Sequence, residues 1–558
     1  MAENFYSDNY DLKFHLEELV DWKSIIELME DIGSNACPYS SVAQAVETYL
    51  EMLRDSVGDL AANRIAPRAA AIDKKGCVYQ DGEVIYPQEL KDNIADLANA
   101  GLTGITFARK YDGMYLPKTF YAAANEIISR ADASLMNFFG MQGIGGTIEH
   151  FGSEQLRLKY LPRLASGEWT AAMLLTEPDA GSELGAIRTK ATYDPDSGQW
   201  RINGTKRFIT FGCGEVLVTL ARSEDPAEAP GTKGISVFVV EKGPGVRVDR
   251  IESKLGIHGS PTCEISFEDA PACLVGERGR GLTKYGAWLM KEARLGVAAQ
   301  AVGISQAALV AAQRYADERV QFGQKIKEFP QVAEMLADMQ MYTEASRILL
   351  YAAAQVLDIE EGTRAREAKG LRKISRMVDI LTPLAKYYAA EVSIAVTNNA
   401  VQIHGGSGYT REYPVERYLR DARITSIYEG TSQIQVDWAI VRILRGGMEE
   451  LLQELSKQEL TDPALLPLLE KAKEGHRLLN EAIAYVNSQE PEYWDLVARK
   501  IVDMAIDVYI SYEFLRQAEK AANKLEIKAK VARRFVNIML PRVEMNRRYA
   551  MNGQVLDF

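Results

Sequence analysis

The hydrophobic period of this chain changes twice, and no other feature constrains its fold as much. Residues 11–31 (DLKFHLEELVDWKSIIELMED) put Leu12, His15, Leu16, Leu19, Ile26 and Leu28 on one helical stripe. Residues 40–64 repeat the pattern with Val42, Ala45, Val46, Tyr49, Leu50 and Leu53, and 87–100 and 117–136 read as two more helices. The glycine-rich stretch 137–151, FFGMQGIGGTIEHFG, reads as a turn between helices. From 170 to 275 short β-branched and aromatic runs, such as EVLVTLARS and GISVFVVEKG, alternate with Gly, Pro, Asp and Asn, which predicts a small antiparallel β domain. From about 285 the helical period returns in three long segments, the third interrupted near Pro383. The loop GGSGYTREYP leads into a short helix at 415–424, and IYEGTSQIQ opens another. Residues 449–558 add further helical segments.

The 558 residues suggest three or four domains at roughly 150 residues each. The spacing divides them into regions 1–169, 170–280, 281–447 and 448–558. Lys and Arg number 65 against 77 Asp and Glu, a net charge of −12, so nothing offsets phosphate repulsion and general nucleic-acid binding is excluded. The apolar fraction of 47% is that of an ordinary globular chain rather than a disordered one. No run of about 18 apolar residues predicts a membrane span, and the polar, acidic start lacks the pattern of a secretory signal. The five cysteines, Cys37, Cys77, Cys213, Cys263 and Cys273, form no close pairs, which fits reduced thiols in a cytoplasmic protein.

Several chemistries lack their residues. There is no P-loop, and no G-x-G-x-x-G stands between a strand and a helix. H-E-x-x-H, C-x-x-C and G-x-S-x-G are absent, and the five histidines are far apart, so no metal site is expected. Four segments remain. They are Leu175-Thr176-Glu177-Pro178-Asp179-Ala180-Gly181-Ser182, then Lys206-Arg207-Phe208-Ile209-Thr210, then Arg319-Val320-Gln321-Phe322-Gly323 with Pro330-Gln331. The fourth runs from Gln402-Ile403-His404-Gly405-Gly406 through Tyr413-Pro414-Val415-Glu416-Arg417 and Arg420-Asp421-Ala422-Arg423-Ile424 to Ile427-Tyr428-Glu429-Gly430-Thr431-Ser432-Gln433-Ile434-Gln435.

In this order and at this spacing the four segments resemble the acyl-CoA dehydrogenase family, over about residues 90–445. The opening DNYDLKFHLEELVDW, the segment from Lys254 to Cys263 and the long C-terminal extension resemble a larger-subunit branch, which includes 3-methylmercaptopropionyl-CoA dehydrogenase and related long acyl-CoA dehydrogenases. The resemblance implies a mainly α fold: an N-terminal helical domain, a middle antiparallel β domain and a C-terminal four-helix bundle, followed here by a helical extension. It implies FAD held without a Rossmann fingerprint, between the β domain and the bundle, with the adenine end reaching a neighbouring subunit.

Carried over by position, Met173, Leu175 and Thr176 line the isoalloxazine edge, with Gly181 and Ser182 following. Aimed donors there stabilise negative charge developing on a reduced flavin. Phe208, where many members carry Trp, stacks on the ring, and Thr210 bonds near N5. Alone, both would read as an alternating strand. Arg319, Phe322 and Gln331 match positions that hold the pyrophosphate and adenine, where an Arg fork suits phosphate oxygens. Gln402, Gly405 and Gly406 match the glycine-rich loop near the diphosphate, and Thr431 and Gln433 match further contacts with FAD.

Glu429 occupies the place of the base that removes the α-proton of an acyl thioester. The resemblance implies that the Glu backbone N–H and a ribityl hydroxyl polarise the thioester carbonyl and that the β-hydride passes to flavin N5. A lone Glu in a loop would read as a surface charge, and the motif reverses that reading. Ser182, Arg294, Tyr428 and Gly430 are the expected substrate contacts, and Lys254 and His258 are candidates for contact with coenzyme A. Some members carry their base on the helix around 291–295; Ala293 stands at that position here, with Glu292 adjacent as a reserve.

The expected electron acceptor is electron-transfer flavoprotein, and the expected assembly is a homo-oligomer, a dimer before a tetramer. An acyl-CoA oxidase and a decarboxylating dicarboxyl-CoA dehydrogenase share the fold and remain alternatives. A flavin-free interaction subunit would have lost the base or FAD motifs, and both are present.

Overall fold

A computed structural model describes residues 3–553, the side chain of Asn523 excepted; the outermost residues of the first and last expected regions, 1–2 and 554–558, lie outside it. The chain forms two compact units: Met1–Asn9, Thr48–Ile304 and Arg417–Ile424 in the first, and Tyr10–Glu47, Ser305–Glu416 and Thr425–Phe558 in the second.

The first unit joins a helical block to a β-sheet. The helix Lys118–Ala131 is buried along its whole length, which makes it the axis of the block. The 137–151 stretch is helical, as Met136–Phe139 and Met141–Phe151, not the turn that its glycines suggest. The reason is packing. A Cβ at Gly143 would lie 3.3 Å from Glu292 Cβ, and one at Gly146 would lie 2.9 Å from the Trp288 ring. These glycines let two helices approach closely, and that contact outweighs their low helix propensity.

The sheet has seven strands, and its connectivity departs from the expected antiparallel pattern at two places, where Ala171–Leu174 pairs parallel with Val216–Arg222 and where Lys190 makes a single parallel bridge to Arg222. The remaining long pairings are antiparallel: Gln199–Thr210 with Thr262–Val275, and Val216–Arg222 with Ile235–Glu241. The bridge from Lys190 to Arg222 returns the sheet to its own strand, so most edges are paired. Its interior is apolar: Ile202, Ile209, Leu217, Ala221, Phe238, Val240, Cys263, Ile265 and Phe267 are buried together.

The second unit is helical. Pro330–Ala365 and Leu371–His404 pack as a long pair, each about 50 Å from end to end. The second of these runs unbroken through Pro383, where an interruption was expected. Ser432–Leu444 packs on it, and in the C-terminal extension Leu466–Asn487, Pro491–Ala521 and Glu526–Met551 pack on one another. The stripe at 11–31 is not one helix: Tyr10–Phe14 runs into a wide π-type turn at His15–Leu19, and Trp22–Met29 starts afresh with Asp21 as its N-cap. One helical stretch among the described residues, Gly281–Glu318, is long and apolar enough to cross a bilayer, and it is mostly buried inside the protein.

Candidate active site

In the first unit the strand Ala171–Leu174 carries Met173 and delivers Leu175 and Thr176 just past its end. Gln199–Thr210 carries Phe208 and Thr210. The two segments are held side by side. Arg207 N donates to Thr176 O at 2.9 Å, and Lys206 Nζ donates to Leu175 O at 3.1 Å. Between Lys206 and Ile209 the register shifts, and Phe208 takes a positive φ of 60°. That conformation is strained for an aromatic residue, and it turns the ring outward, where it is 53% exposed. Gly181 and Ser182 stand in an exposed loop beyond the bridge between Glu177 and Ala180, and Arg294 is buried in the helix Ala287–Glu318.

The motif reading assigned no role to two residues here. Lys206 is fully buried, and its ammonium donates to Glu177 Oε1 at 2.7 Å. Glu177 also accepts from the backbone N–H groups of Arg188, at 2.6 Å, and Thr189, at 3.0 Å. Burial pulls the Lys206 pKa down to about 8, and the Glu177 charge opposes that fall. The pair fixes both segments that carry the expected flavin contacts. The signal was available: strand alternation puts Lys206 on the inward face with Ile202, where a lysine needs a buried partner.

Lys254 and His258 are occupied within the first unit. Lys254 Nζ donates to Ser260 O at 2.8 Å. Both ring nitrogens of His258 face oxygen acceptors, Nδ1 toward Asp73 O and Oδ1 at 2.9 Å and Nε2 toward Lys254 O at 2.9 Å. Such a ring is best satisfied as the doubly protonated imidazolium. The hydrogen bond with Asp73 accordingly raises its pKa to about 9, against the effect of burial. Asp73 is gripped in turn by the Arg420 fork, at 2.9 and 2.6 Å. The reserve base Glu292 is buried in an ion pair with Lys118 at 2.9 Å.

In the second unit Arg319 precedes a two-residue hairpin whose tip, Phe322 and Gly323, has positive φ at both positions, the geometry of a type I′ turn. Phe322 is 95% exposed there. Gln331 lies in the first turn of Pro330–Ala365. Gln402 ends the helix Leu371–His404, and Gly405 and Gly406 follow it with open space where a side chain would stand. Arg319, Phe322, Gln331, Gln402, Gly405 and Gly406 are all exposed.

Tyr428, Glu429 and Gly430 form the loop before Ser432–Leu444, whose N-cap is Thr431, with Oγ1 accepting from Ile434 N at 3.3 Å. Gln433 stands exposed in the first turn of that helix. Glu429 is half-buried and has a φ of 55°; Gly430 follows at 88°. A carboxylate on two left-handed residues at a helix N-terminus is an arrangement that a surface charge does not need.

Models of the acyl-CoA dehydrogenase family match nearly the whole chain: the N-terminal domain at 48–168, the middle domain at 172–270, the C-terminal domain at 279–444, and a further model described as acyl-CoA dehydrogenase C terminal at 445–552. An acyl-CoA dehydrogenase of Bacillus subtilis is 38% identical over 391 residues, which is 69% of this chain and 95% of that protein. The 3-methylmercaptopropionyl-CoA dehydrogenase of Ruegeria pomeroyi is 33% identical over 474 residues, 78% of this chain and 76% of that protein. The crystal structure of an acyl-CoA dehydrogenase complexed with FAD from Bacillus anthracis superposes with a TM-score of 0.77 at 26% identity, covering 90% of this chain and 88% of that one. The expected three-domain fold with a helical extension is therefore the fold of this protein, and the chain belongs to the acyl-CoA dehydrogenase family of oxidoreductases.

Proposed function

We propose that this protein is an FAD-dependent acyl-CoA dehydrogenase that converts an acyl-CoA to its trans-2-enoyl-CoA, with Glu429 as the base. The observation that carries the reading is the presentation of Glu429, left-handed and half-buried on the loop ahead of a capped helix. The chain's own residues suit FAD. Gly405 and Gly406 leave a bare backbone that a phosphate can approach, and Arg319 offers a charged fork. Phe208 and Phe322 are exposed aromatic faces, and Met173, Leu175, Thr176, Gly181, Ser182, Thr210, Gln331, Gln402, Thr431 and Gln433 complete the set. FAD, when bound, supplies the hydride acceptor for the β-carbon.

The Glu429 carboxylate takes the α-proton. Its backbone N–H polarises the thioester carbonyl, so the negative charge that develops on the substrate meets a fixed donor. Exclusion of water by the bound acyl chain raises the basicity of the carboxylate. Tyr428 and Gly430 frame the acyl chain, and Ser182 and Arg294 are further substrate contacts. Glu292 is set aside as base because its carboxylate is engaged with Lys118. The electrons pass on to electron-transfer flavoprotein. The protein works as a homo-oligomer, a dimer in the first instance, with regions divided at 169/170, 280/281 and 447/448. The five cysteines are all free thiols, in keeping with a reducing cytoplasmic setting.

The test is an anaerobic titration of the FAD-loaded protein with butanoyl-, hexadecanoyl-, 2-methylpropanoyl-, phenylpropanoyl-, 3-methylthiopropanoyl- and glutaryl-CoA, following the oxidised flavin band. Bleaching by one class supports the reading and names the substrate class. Bleaching by none overturns it. Glu429→Gln is expected to keep FAD and acyl-CoA binding and to slow bleaching by about 10³-fold or more; near-normal bleaching would remove Glu429 as the base.

A further inference from the structure

Behind the Glu429 loop stand two buried donors that the motif does not explain. Lys386, in the middle of Leu371–His404, is fully buried, and its Nζ donates to Gly430 O at 2.6 Å. Gln435, in the first turn of Ser432–Leu444, is also fully buried. Its Nε2 donates to Glu429 O at 3.1 Å and to Gly430 O at 2.9 Å. The two donors come from different helices and converge on two successive carbonyls. Orienting those carbonyls fixes the peptide planes on both sides of Gly430. The plane between Glu429 and Gly430 sets the ψ of Glu429, and holding the next plane fixes Gly430 behind it, so the loop from which the Glu429 Cα–Cβ bond projects is anchored on its C-terminal side.

The restraint is needed. A glutamate with positive φ is strained, and a free loop would relax toward ordinary backbone angles. The contact is also close enough to exclude a side chain at 430, because a Cβ there would come within 2.6 Å of Gln435 Nε2. A buried ammonium is costly to keep, and a neutral amide alone could cap a carbonyl.

We propose that Lys386 and Gln435 are positioning residues that hold the Glu429 carboxylate in its proton-abstracting orientation through the carbonyls of Glu429 and Gly430. This rests on Glu429 being the base. Neither side chain touches the reacting atoms, so their loss leaves substrate affinity in place and slows the α-proton step.

The experiment uses the FAD-loaded, full-length protein and the thioester of the panel that bleaches wild-type flavin fastest, deuterated at the α- or the β-carbon. Lys386→Met is expected to retain full FAD stoichiometry, to bind the thioester within about threefold of wild type, and to bleach about 10²-fold more slowly. The α-deuterium isotope effect on bleaching rises, while the β-deuterium effect does not. Lys386→Gln, which keeps a donor without the charge, recovers part of the loss. Gln435→Glu, nearly isosteric but with an acceptor replacing the donor, shows the same pattern and serves if Lys386→Met fails to fold. Wild-type bleaching in both variants overturns the proposal. So does slowing that is matched by an equal loss of thioester binding with no change in the α-isotope effect. Glu429→Gln separates the two claims: if it bleaches normally, the base is misassigned; if it is inert while Lys386→Met and Gln435→Glu are normal, only the positioning role falls.

Discussion

At the scale of single residues, function shows most plainly where a side chain is held at a cost. Phe208 keeps a left-handed backbone at a strand irregularity with half its ring in solvent, and the Arg207 guanidinium 4.7 Å from the ring centroid gives little return at such an exposed site. Phe208→Gly is therefore expected to leave the apoprotein as stable or up to about 1 kcal/mol more stable. It should also weaken FAD binding by about tenfold, the value of a lost aromatic stacking contact. Thermal melts of the apoprotein beside flavin titrations check both halves; a destabilised apoprotein with unchanged FAD affinity would be the opposite result. The motifs single out Glu429 and Phe208 in the sequence, and both have a left-handed backbone. Lys386 was not legible there, because one lysine in an apolar run states that it has a partner without naming it. His258 was legible as a marked residue but not in its role. It is protonated up to about pH 9 in the folded protein, against an ordinary value of 6.5. A raised pKa contributes stability that is complete below about pH 6.5 and lost as pH rises through about 9. His258→Gln should flatten the stability profile in that window, where wild type loses on the order of 1–2 kcal/mol. Urea midpoints at both ends of the window decide; an equal fall in the variant would assign the pH dependence to other groups.

At the scale of elements, the long helices that periodicity marks after residue 285 appear where the sequence puts them, whereas the 11–31 stripe breaks at His15–Leu19. The failures fall where packing overrides local preference. Met141–Phe151 is a helix because Gly143 and Gly146 admit Glu292 and Trp288, contacts that no window of the sequence contains. The extension raises the same issue for Pro491–Ala521, which reaches Leu371–His404 by two polar links. Arg499 pairs with Glu391 at 3.3 Å, but its side chain is 55% exposed. Tyr387, which is buried, donates to Asp503 at 2.8 Å. Exposed ion pairs contribute little, whereas losing the hydroxyl of the buried Tyr387 removes a donor from the half-buried Asp503 carboxylate. Tyr387→Phe is therefore expected to cost about 1–3 kcal/mol, and Arg499→Ala under about 1 kcal/mol. Chemical denaturation of the two variants gives the ranking, and a reversed order would mean that the exposed pair, not the buried one, joins these helices.

At the scale of the whole chain, the second unit is closed by charges that lie at opposite ends of the sequence. Lys528 Nζ meets Asp11, 517 residues away, and also Glu344 Oε2 and Gln517 Oε1, both at 3.0 Å. Arg347 reaches the other oxygen of Asp11 and donates to Gln306 at 2.9 Å. All four charged residues are 2% exposed or less. No sequence pattern announces this cluster, since each member sits alone in an amphipathic helix and reads as a surface charge. Two cations facing two carboxylates make it neutral, and neutrality is what makes burial tolerable. Removing one cation breaks the balance. Lys528→Met should cost about 3–5 kcal/mol, because Asp11 and Glu344 are then left with one cation between them. Adding Glu344→Gln restores neutrality around the Asp11–Arg347 pair, so the double variant is expected to be more stable than Lys528→Met alone, by about 1–3 kcal/mol. A double-mutant cycle in urea measures the coupling directly. If the two substitutions simply add, the cluster is a set of independent contacts and charge balance does not join the first helix of the chain to the last.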